Sequence, residues 1–316
     1  MQIANLEDIH KLSPVQQELL TRALDRPGDD LDVLQLCVAL SGPLSLPGLE
    51  AAWEGMAARH SALRTAFRPG KVPSQVVQRQ VKLPFVLQDR KHDAEIAAFL
   101  IEDRERGLDP AQGPLVRLSV LRTAPGEHLL VWTWHRLVLD GWSAALVAGQ
   151  TLAVSQDAGP SRKYRELIDW LRNQNPAAAE RFWRQELAGL SAPAPLGSIE
   201  PLPGRAGRDV RIVRLAPSAT AALRSLADRE GLALETLVQG AWALALSRHT
   251  GQGDVLFGIT AAGRPADLPE AESRVGRFAH TLPLRVEIDP ETPLLAWLRR
   301  LEDRRNAAGP HAHQAL

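Results

Sequence analysis

Short apolar runs along the chain alternate with longer stretches in which apolar residues recur every three to four positions, the periods of strands and helices. Ser13-Pro14 ahead of residues 15–23 supplies an N-cap and a first-turn proline, and so predicts a helix there. Residues 32–40 read as a strand. Residues 47–59 read as a helix with Leu49, Trp53 and Met56 on one face, and 94–106 as another helix. Two strands, 115–122 and 128–134, flank the turn 123–127. Further helices are predicted from Gly141 onward, over 164–173 and over 177–187. Residues 191–208 hold four prolines and three glycines without periodicity, which is the signature of a linker. Beyond it the pattern resumes in kind: strand 210–215, helices 218–230 and 234–249, strands 254–260 and 281–288, helix 294–305. The expectation is an α/β chain in two lobes, mixed sheets packed by helices, with residues 1–190 as the N-terminal lobe, 191–208 as linker and 209–316 as the C-terminal lobe.

Composition narrows the function classes. Of 316 residues 45% are hydrophobic, enough for a sizeable core. Lys plus Arg equals Asp plus Glu at 37 each, so there is no basic excess to draw nucleic acid or an anionic membrane. The lone cysteine, Cys37, cannot form an internal disulfide and, within the apolar run 34–40, is expected to be a buried core thiol. The N-terminus lacks a signal-peptide pattern and no apolar run is long enough to span a bilayer, so a cytoplasmic protein is expected. Glycine-rich phosphate loops, cysteine clusters and a Gly-x-Ser-x-Gly elbow are missing, so neither a metal nor an intrinsic cofactor is expected. His311-x-His313 has no acidic or cysteine ligand nearby and reads as a tail.

The chemistry-bearing segment is residues 131–143. A strand ends at His135, a short loop carries Asp140, and Gly141 with Ser143 opens a helix. Such a loop presents side chains beside a helix N-terminus, whose N–H groups favour negative charge. Read alone, such a segment is more commonly a core histidine beside a capping aspartate than a catalytic one. In its sequence the segment resembles the His-His-x-x-x-Asp-Gly motif of the condensation domains of nonribosomal peptide synthesis, in the Asp-Gly-Trp-Ser form. Other stretches resemble that family's motifs in collinear order. They are Leu12-Ser13-Pro14-Val15-Gln16, residues 59–65, residues 108–115, Tyr164 to Trp170 with Phe182-Trp183, residues 258–264 and 276–285, and His313-Gln314.

The resemblance implies two chloramphenicol-acetyltransferase-like lobes in a V, with a tunnel admitting donor and acceptor substrates. Both would be held on the phosphopantetheine arms of peptidyl or acyl carrier proteins, with neighbouring synthetase domains as further partners. It also implies a mainly structural role for His135 and an interlobe pair between Asp140 and Arg264. Trp132, Trp134 and Trp142 are expected to pack.

Three departures stand out. The family's second histidine falls on Arg136, which has no acceptor and does not deprotonate, so it cannot act as a general base. His280 stands where the family has asparagine. By the same resemblance the family pattern continues past Leu316, so the C-terminal lobe is expected to be shortened. The site expectation is therefore a degenerate catalytic set of Arg136, His135, Asp140, Gly141 and Ser143, with Asp140 the nearest anion in sequence for Arg136. The functional expectation is a domain impaired in amide formation, acting in carrier-protein docking or in recruiting a tailoring oxygenase. The alternative is an active condensation enzyme, and whether the chain is an enzyme at all is left open. Epimerisation is disfavoured by the Gly-Trp-Ser continuation.

Overall fold

The structure, a computed structural model, describes residues 5–26, 30–152, 162–190 and 212–313. The chain opens with β1 (Leu6–Lys11) and α1 (Pro14–Asp25). Ser13 caps α1 in a full capping box: its hydroxyl accepts from the Gln16 N–H while the Gln16 side chain returns to the Ser13 N–H. β2 (Val33–Ser41), α2 (Leu46–Arg59), β3 (Thr65–Arg68), β4 (Ser74–Gln78), β5 (Phe85–Asp89) and α3 (Asp93–Glu105) follow. A hairpin of β6 (Val116–Ala124) and β7 (Glu127–His135) leads into α4 (Gly141–Leu152) and α5 (Arg165–Arg172). The remainder is α6 (Pro176–Glu186), α7 (Pro217–Glu230), α8 (Leu234–Thr250), β8 (Asp254–Ala261), β9 (His280–Glu287) and α9 (Leu294–Ala308).

Among the described residues three sheets form, ordered β1-β4-β3, β2-β7-β6-β5 and β8-β9. The four-stranded sheet is mixed, because β5 runs parallel to β6 while β2-β7 and β6-β7 are antiparallel. Alternation along the strands sends Leu118, Val120, Leu130 and Trp132 into a core shared with Leu49, Trp53 and Ala57 of α2. Trp53 and Trp132 meet at 4.7 Å, and Trp132 and Trp134 at 4.9 Å.

The chain divides into two compact units. The first is Met1–Gln174 with Ala262–His280, and the second is Asn175–Ala261 with Thr281–Leu316. Within the second, Leu246, Val255, Leu284, Trp297 and Leu301 build a separate core. Sequence reading placed one boundary at 191–208, which lies outside the described residues. The changeover at Gln174/Asn175 and the return of 262–280 to the first unit carry no composition signal.

Local differences have physical causes. Strands β1, β3, β4 and β5 escaped sequence reading because each is only four to six residues long. Of the predicted strand 210–215, the described residues 212–215 are irregular and exposed, with Val213 at 85% accessibility. Cys37 is exposed and not a core thiol. On β2 the residues Leu34, Leu36 and Val38 take the core face, and the period of two turns Cys37 away. No helix among the described residues is long and apolar enough to cross a membrane.

Candidate functional site

The site is built on the connection from β7 to α4. His135 ends β7, pairing in register with Val33 of β2, and its N–H donates to the Leu115 carbonyl at 3.0 Å. Leu137, Val138 and Leu139 are all core residues, so the loop is pinned by burial of its middle. The Gln16 side chain reaches across from α1 to donate to the Leu137 carbonyl at 3.1 Å. The Leu12–Gln16 stretch thus positions the 135–143 loop.

His135 is buried, and burial pulls its pKa down to about 4, so the ring is neutral near pH 7. The Leu137 N–H donates to Nδ1 at 3.1 Å, which leaves the ring proton on Nε2. Arg136 points elsewhere: its Nη1 lies 3.5 Å from Asp32 Oδ1, with about a third of its side chain exposed. Sequence order suggested Asp140 as its anion, and the structure assigns Asp32 instead. The Asp140 carboxylate is saturated from other directions. Oδ1 accepts the Ser143 N–H at 2.7 Å, capping α4, while Oδ2 accepts the N–H groups of Phe278 at 3.0 Å and Ala279 at 2.9 Å.

Arg264 completes this arrangement. Its Nη2 lies 3.6 Å from Asp140 Oδ1 and donates to Ser143 Oγ at 2.9 Å. Its Nη1 donates to the carbonyls of Ala271 and, at 2.9 Å, Arg274. The guanidinium also lies over the Phe278 ring at 4.2 Å. Burial lowers its pKa and Asp140 opposes the shift. Both partners belong to the first compact unit, so the pair expected between lobes lies within one unit. Ser143 Oγ, fully buried, donates to the Gly276 carbonyl at 2.7 Å and accepts from the Gly276 N–H at 3.1 Å. A hydroxyl so engaged positions the loop and offers no nucleophile. Gly141 starts α4, and an added Cβ there would meet nothing within 4 Å.

Tyr164, just before α5, is buried and donates to the Arg277 carbonyl at 2.6 Å. Its ring lies where a side chain at Gly276 would be, and a Cβ there would collide with Tyr164 Cδ2. Five separated stretches of sequence therefore converge: Ser13 and Gln16, the 135–143 loop, Tyr164, Arg264, and 274–279. Trp132 and Trp134 do pack in the core, whereas Trp142 is half exposed, donates to the Glu272 carbonyl at 2.9 Å and lies 5.6 Å from the Arg264 guanidinium. His280 Nδ1 lies 3.1 Å from the Phe278 carbonyl oxygen. In the second unit, Trp183 donates to the His311 carbonyl and Phe182 stacks on the His311 ring, so that histidine is packed and not a loose tail. Among the described residues no group of three His, Cys, Asp or Glu side chains could hold a metal ion. Asp32 and Arg277 were not singled out from sequence. The only signal for Arg277 is a charge inside the otherwise apolar Val275–Phe278 stretch.

A family model described as Condensation domain matches residues 6–315. The chain belongs to the condensation-domain family. One protein of the linear gramicidin synthase of Brevibacillus parabrevis is 38% identical to this domain over 320 residues, 95% of this chain and 4% of the relative. The chondramide synthase of Chondromyces crocatus is 35% identical over 304 residues, 92% of this chain and 8% of the relative. The condensation domain thus spans under a tenth of these relatives. Among solved structures, the condensation domain of the monacolin K polyketide synthase MokA superposes with a TM-score of 0.84 at 20% identity, covering 98% of this chain and 75% of that one. The X-domain from teicoplanin biosynthesis gives 0.78 at 24% identity, over 97% of this chain and 72% of that one. These likenesses show the chloramphenicol-acetyltransferase-like fold.

Proposed function

We propose that this condensation domain serves the amide-forming step of nonribosomal peptide assembly. It would join a donor acyl thioester to an acceptor amine, each delivered on the phosphopantetheine arm of a carrier protein by neighbouring synthetase domains. The observation that supports this is the 135–143 loop, held in a single shape by Gln16, Asp140 and Arg264. In the reaction the amine nitrogen attacks the thioester carbonyl carbon. The C–N bond forms, the C–S bond breaks, and the amine proton leaves as the thiolate becomes a thiol. An α-amino group titrates near pH 8, so a useful fraction is nucleophilic without a strong base. What the site must supply is orientation and a countercharge for the carbonyl oxygen as it becomes an oxyanion. Arg136, cationic and partly exposed, suits the second task and cannot accept the proton.

That same acceptorless side chain favours a second reading, in which amide formation is impaired and the domain docks carrier proteins. Recruitment of an oxygenase is not part of the proposal. The test is a single-turnover assay with loaded donor and acceptor carrier proteins, comparing wild type, Arg136→Lys, Arg136→Ala and Arg136→His. Product from wild type that falls about tenfold or more in Arg136→Ala and is retained in Arg136→Lys supports electrostatic catalysis. Product gained only in Arg136→His favours the second reading. Wild-type turnover untouched by Arg136→Ala removes position 136 from the mechanism.

A further inference from the structure

Within residues 130–140 only Arg136 is not buried, so the fold presents this one side chain from an otherwise enclosed segment. Its main chain is held on both sides. The Arg136 N–H donates to the Asp32 carbonyl at 2.7 Å, and the carbonyl of the next residue, Leu137, accepts from Gln16 Nε2 at 3.1 Å. Behind Gln16 stands Gln75 of β4, which is 1% exposed. The two amides are paired reciprocally: Gln75 Nε2 donates to Gln16 Oε1 at 3.0 Å, and Gln16 Nε2 donates to Gln75 Oε1 at 3.3 Å. Each is also tied to main chain. Gln16 Oε1 accepts the Ser13 N–H at 3.0 Å, and Gln75 Nε2 donates to the Lys11 carbonyl at 2.9 Å. These anchors fix which way each amide faces. A flipped Gln16 would set its NH₂ against the Ser13 N–H, and a flipped Gln75 would set its oxygen against the Lys11 carbonyl. Gln16 Nε2 is therefore left facing Leu137, and all four amide N–H groups of the pair have an acceptor.

A capping box needs only an acceptor on this side chain, and Glu serves there as well as Gln. The second branch of the Gln16 amide is thus unnecessary for α1 and serves the loop. As packing, an apolar pair of the same shape would avoid the desolvation of two amides. We propose that Gln75 is a positioning residue for the reaction at Arg136: by holding the Gln16 amide it sets the Leu137 carbonyl, and so the point from which the Arg136 side chain reaches the developing oxyanion. The part in catalysis rests on the amide-forming reading above, while the clamp on Leu137 does not.

The test uses the full chain with loaded donor and acceptor carrier proteins. Gln75→Met keeps the length of the side chain without its amide, Gln16→Glu keeps the α1 cap but turns an acceptor toward Leu137, and the double variant combines them. Single turnover separates two effects: unfolded molecules lower the amplitude, and misplaced groups lower the rate constant. The expected rate constants, at wild-type amplitude, are about fivefold or more lower for Gln75→Met and about tenfold or more lower for Gln16→Glu, with the double variant no slower than Gln16→Glu because both act through one contact. A second measurement needs no turnover. With ¹³C′-labelled Leu and ¹⁵N-labelled Val only the five Leu-Val bonds of the chain give signals, and the one lost in Val138→Ile reports Leu137. Its carbonyl resonance should move upfield in both single variants, the direction of a lost hydrogen bond. An unshifted resonance in Gln75→Met overturns the clamp and the proposal with it. So do rate constants that stay at the wild-type value, or effects of the two substitutions that multiply. If Gln75→Met does not fold, Gln75→Asn, one methylene short of Gln16, carries the same comparison. A wild type that yields no product overturns the amide-forming reading and the catalytic part of the proposal, and the Leu137 resonance tells that failure from failure of the clamp.

Discussion

Replacing Asp140 by alanine tests how the candidate site is held. The carboxylate is 1% exposed and has four partners: the N–H groups of Ser143, Phe278 and Ala279, and the Arg264 guanidinium. Alanine removes the α4 N-cap, a loss of about 1 kcal/mol. It also strands a buried cation, since the Arg264 side chain is 5% exposed, and breaking such a pair from one side costs about 3–5 kcal/mol. The N–H groups of Phe278 and Ala279 lose their acceptor at about 1–3 kcal/mol each if no water replaces it. These terms overlap, and a loss of about 4–6 kcal/mol is expected. Asparagine has the right shape, but its NH₂ must face one set of N–H donors, so Asp140→Asn should lose about 2–4 kcal/mol. Urea unfolding measures the total, and native-state hydrogen exchange at residues 276–279 localises it. A double-mutant cycle with Arg264→Met should show coupling of about 1–3 kcal/mol, because removing both partners leaves no stranded charge. A loss below about 1 kcal/mol for Asp140→Ala, with unchanged exchange at Phe278 and Ala279, would refute this account.

Burial of His135 makes stability pH-dependent. Its folded pKa of about 4 lies below the ordinary 6.5, so between those values the unfolded chain takes up a proton that the folded one refuses. The contribution is fully present above about pH 6.5 and falls as pH drops towards 4, by about 3 kcal/mol in all. Urea midpoints of wild type and His135→Gln should therefore diverge least near pH 4 and most above pH 6.5, and parallel curves would contradict the assignment. Gly276→Ala should destabilise the first unit by about 2 kcal/mol or more, since its Cβ would collide with the Tyr164 ring, and Tyr164→Ala in the same chain should recover part of that loss in a melting experiment.

Much of the fold was legible from sequence, and the illegible parts share a cause. Helix α1 announces itself through its cap and α9 through its period, and the β6–β7 hairpin through its turn. The loop's role was visible in His135, Asp140 and Ser143 as a string. Invisible was the partner set of Arg136, because Asp140 is near it in sequence while Asp32 is brought near by β2 pairing with β7. Arg277 was passed over for the same reason: nothing local distinguishes a buried arginine from a solvated one. Cys37 was misjudged because an apolar run predicts a strand but not which residues of its period-two alternation face the core. Residues 262–280 return to the first unit through tertiary contacts that neither composition nor periodicity encodes.

That return has a consequence for synthesis on the ribosome. Asp140, Ser143 and Tyr164 are translated long before Gly276, Arg277, Phe278 and Ala279, which supply the groups they bond. About 140 residues separate Asp140 from the end of its returning segment at His280. At typical elongation rates of roughly 5–20 residues per second, the nascent first unit waits on the order of ten seconds with its central carboxylate uncapped on one side. Throughout that interval Tyr164 and Leu167 also lack the cover of Phe278 and Leu268. The first unit is thus completed late even though most of it emerges first, and truncating the chain anywhere before His280 removes part of its own interior.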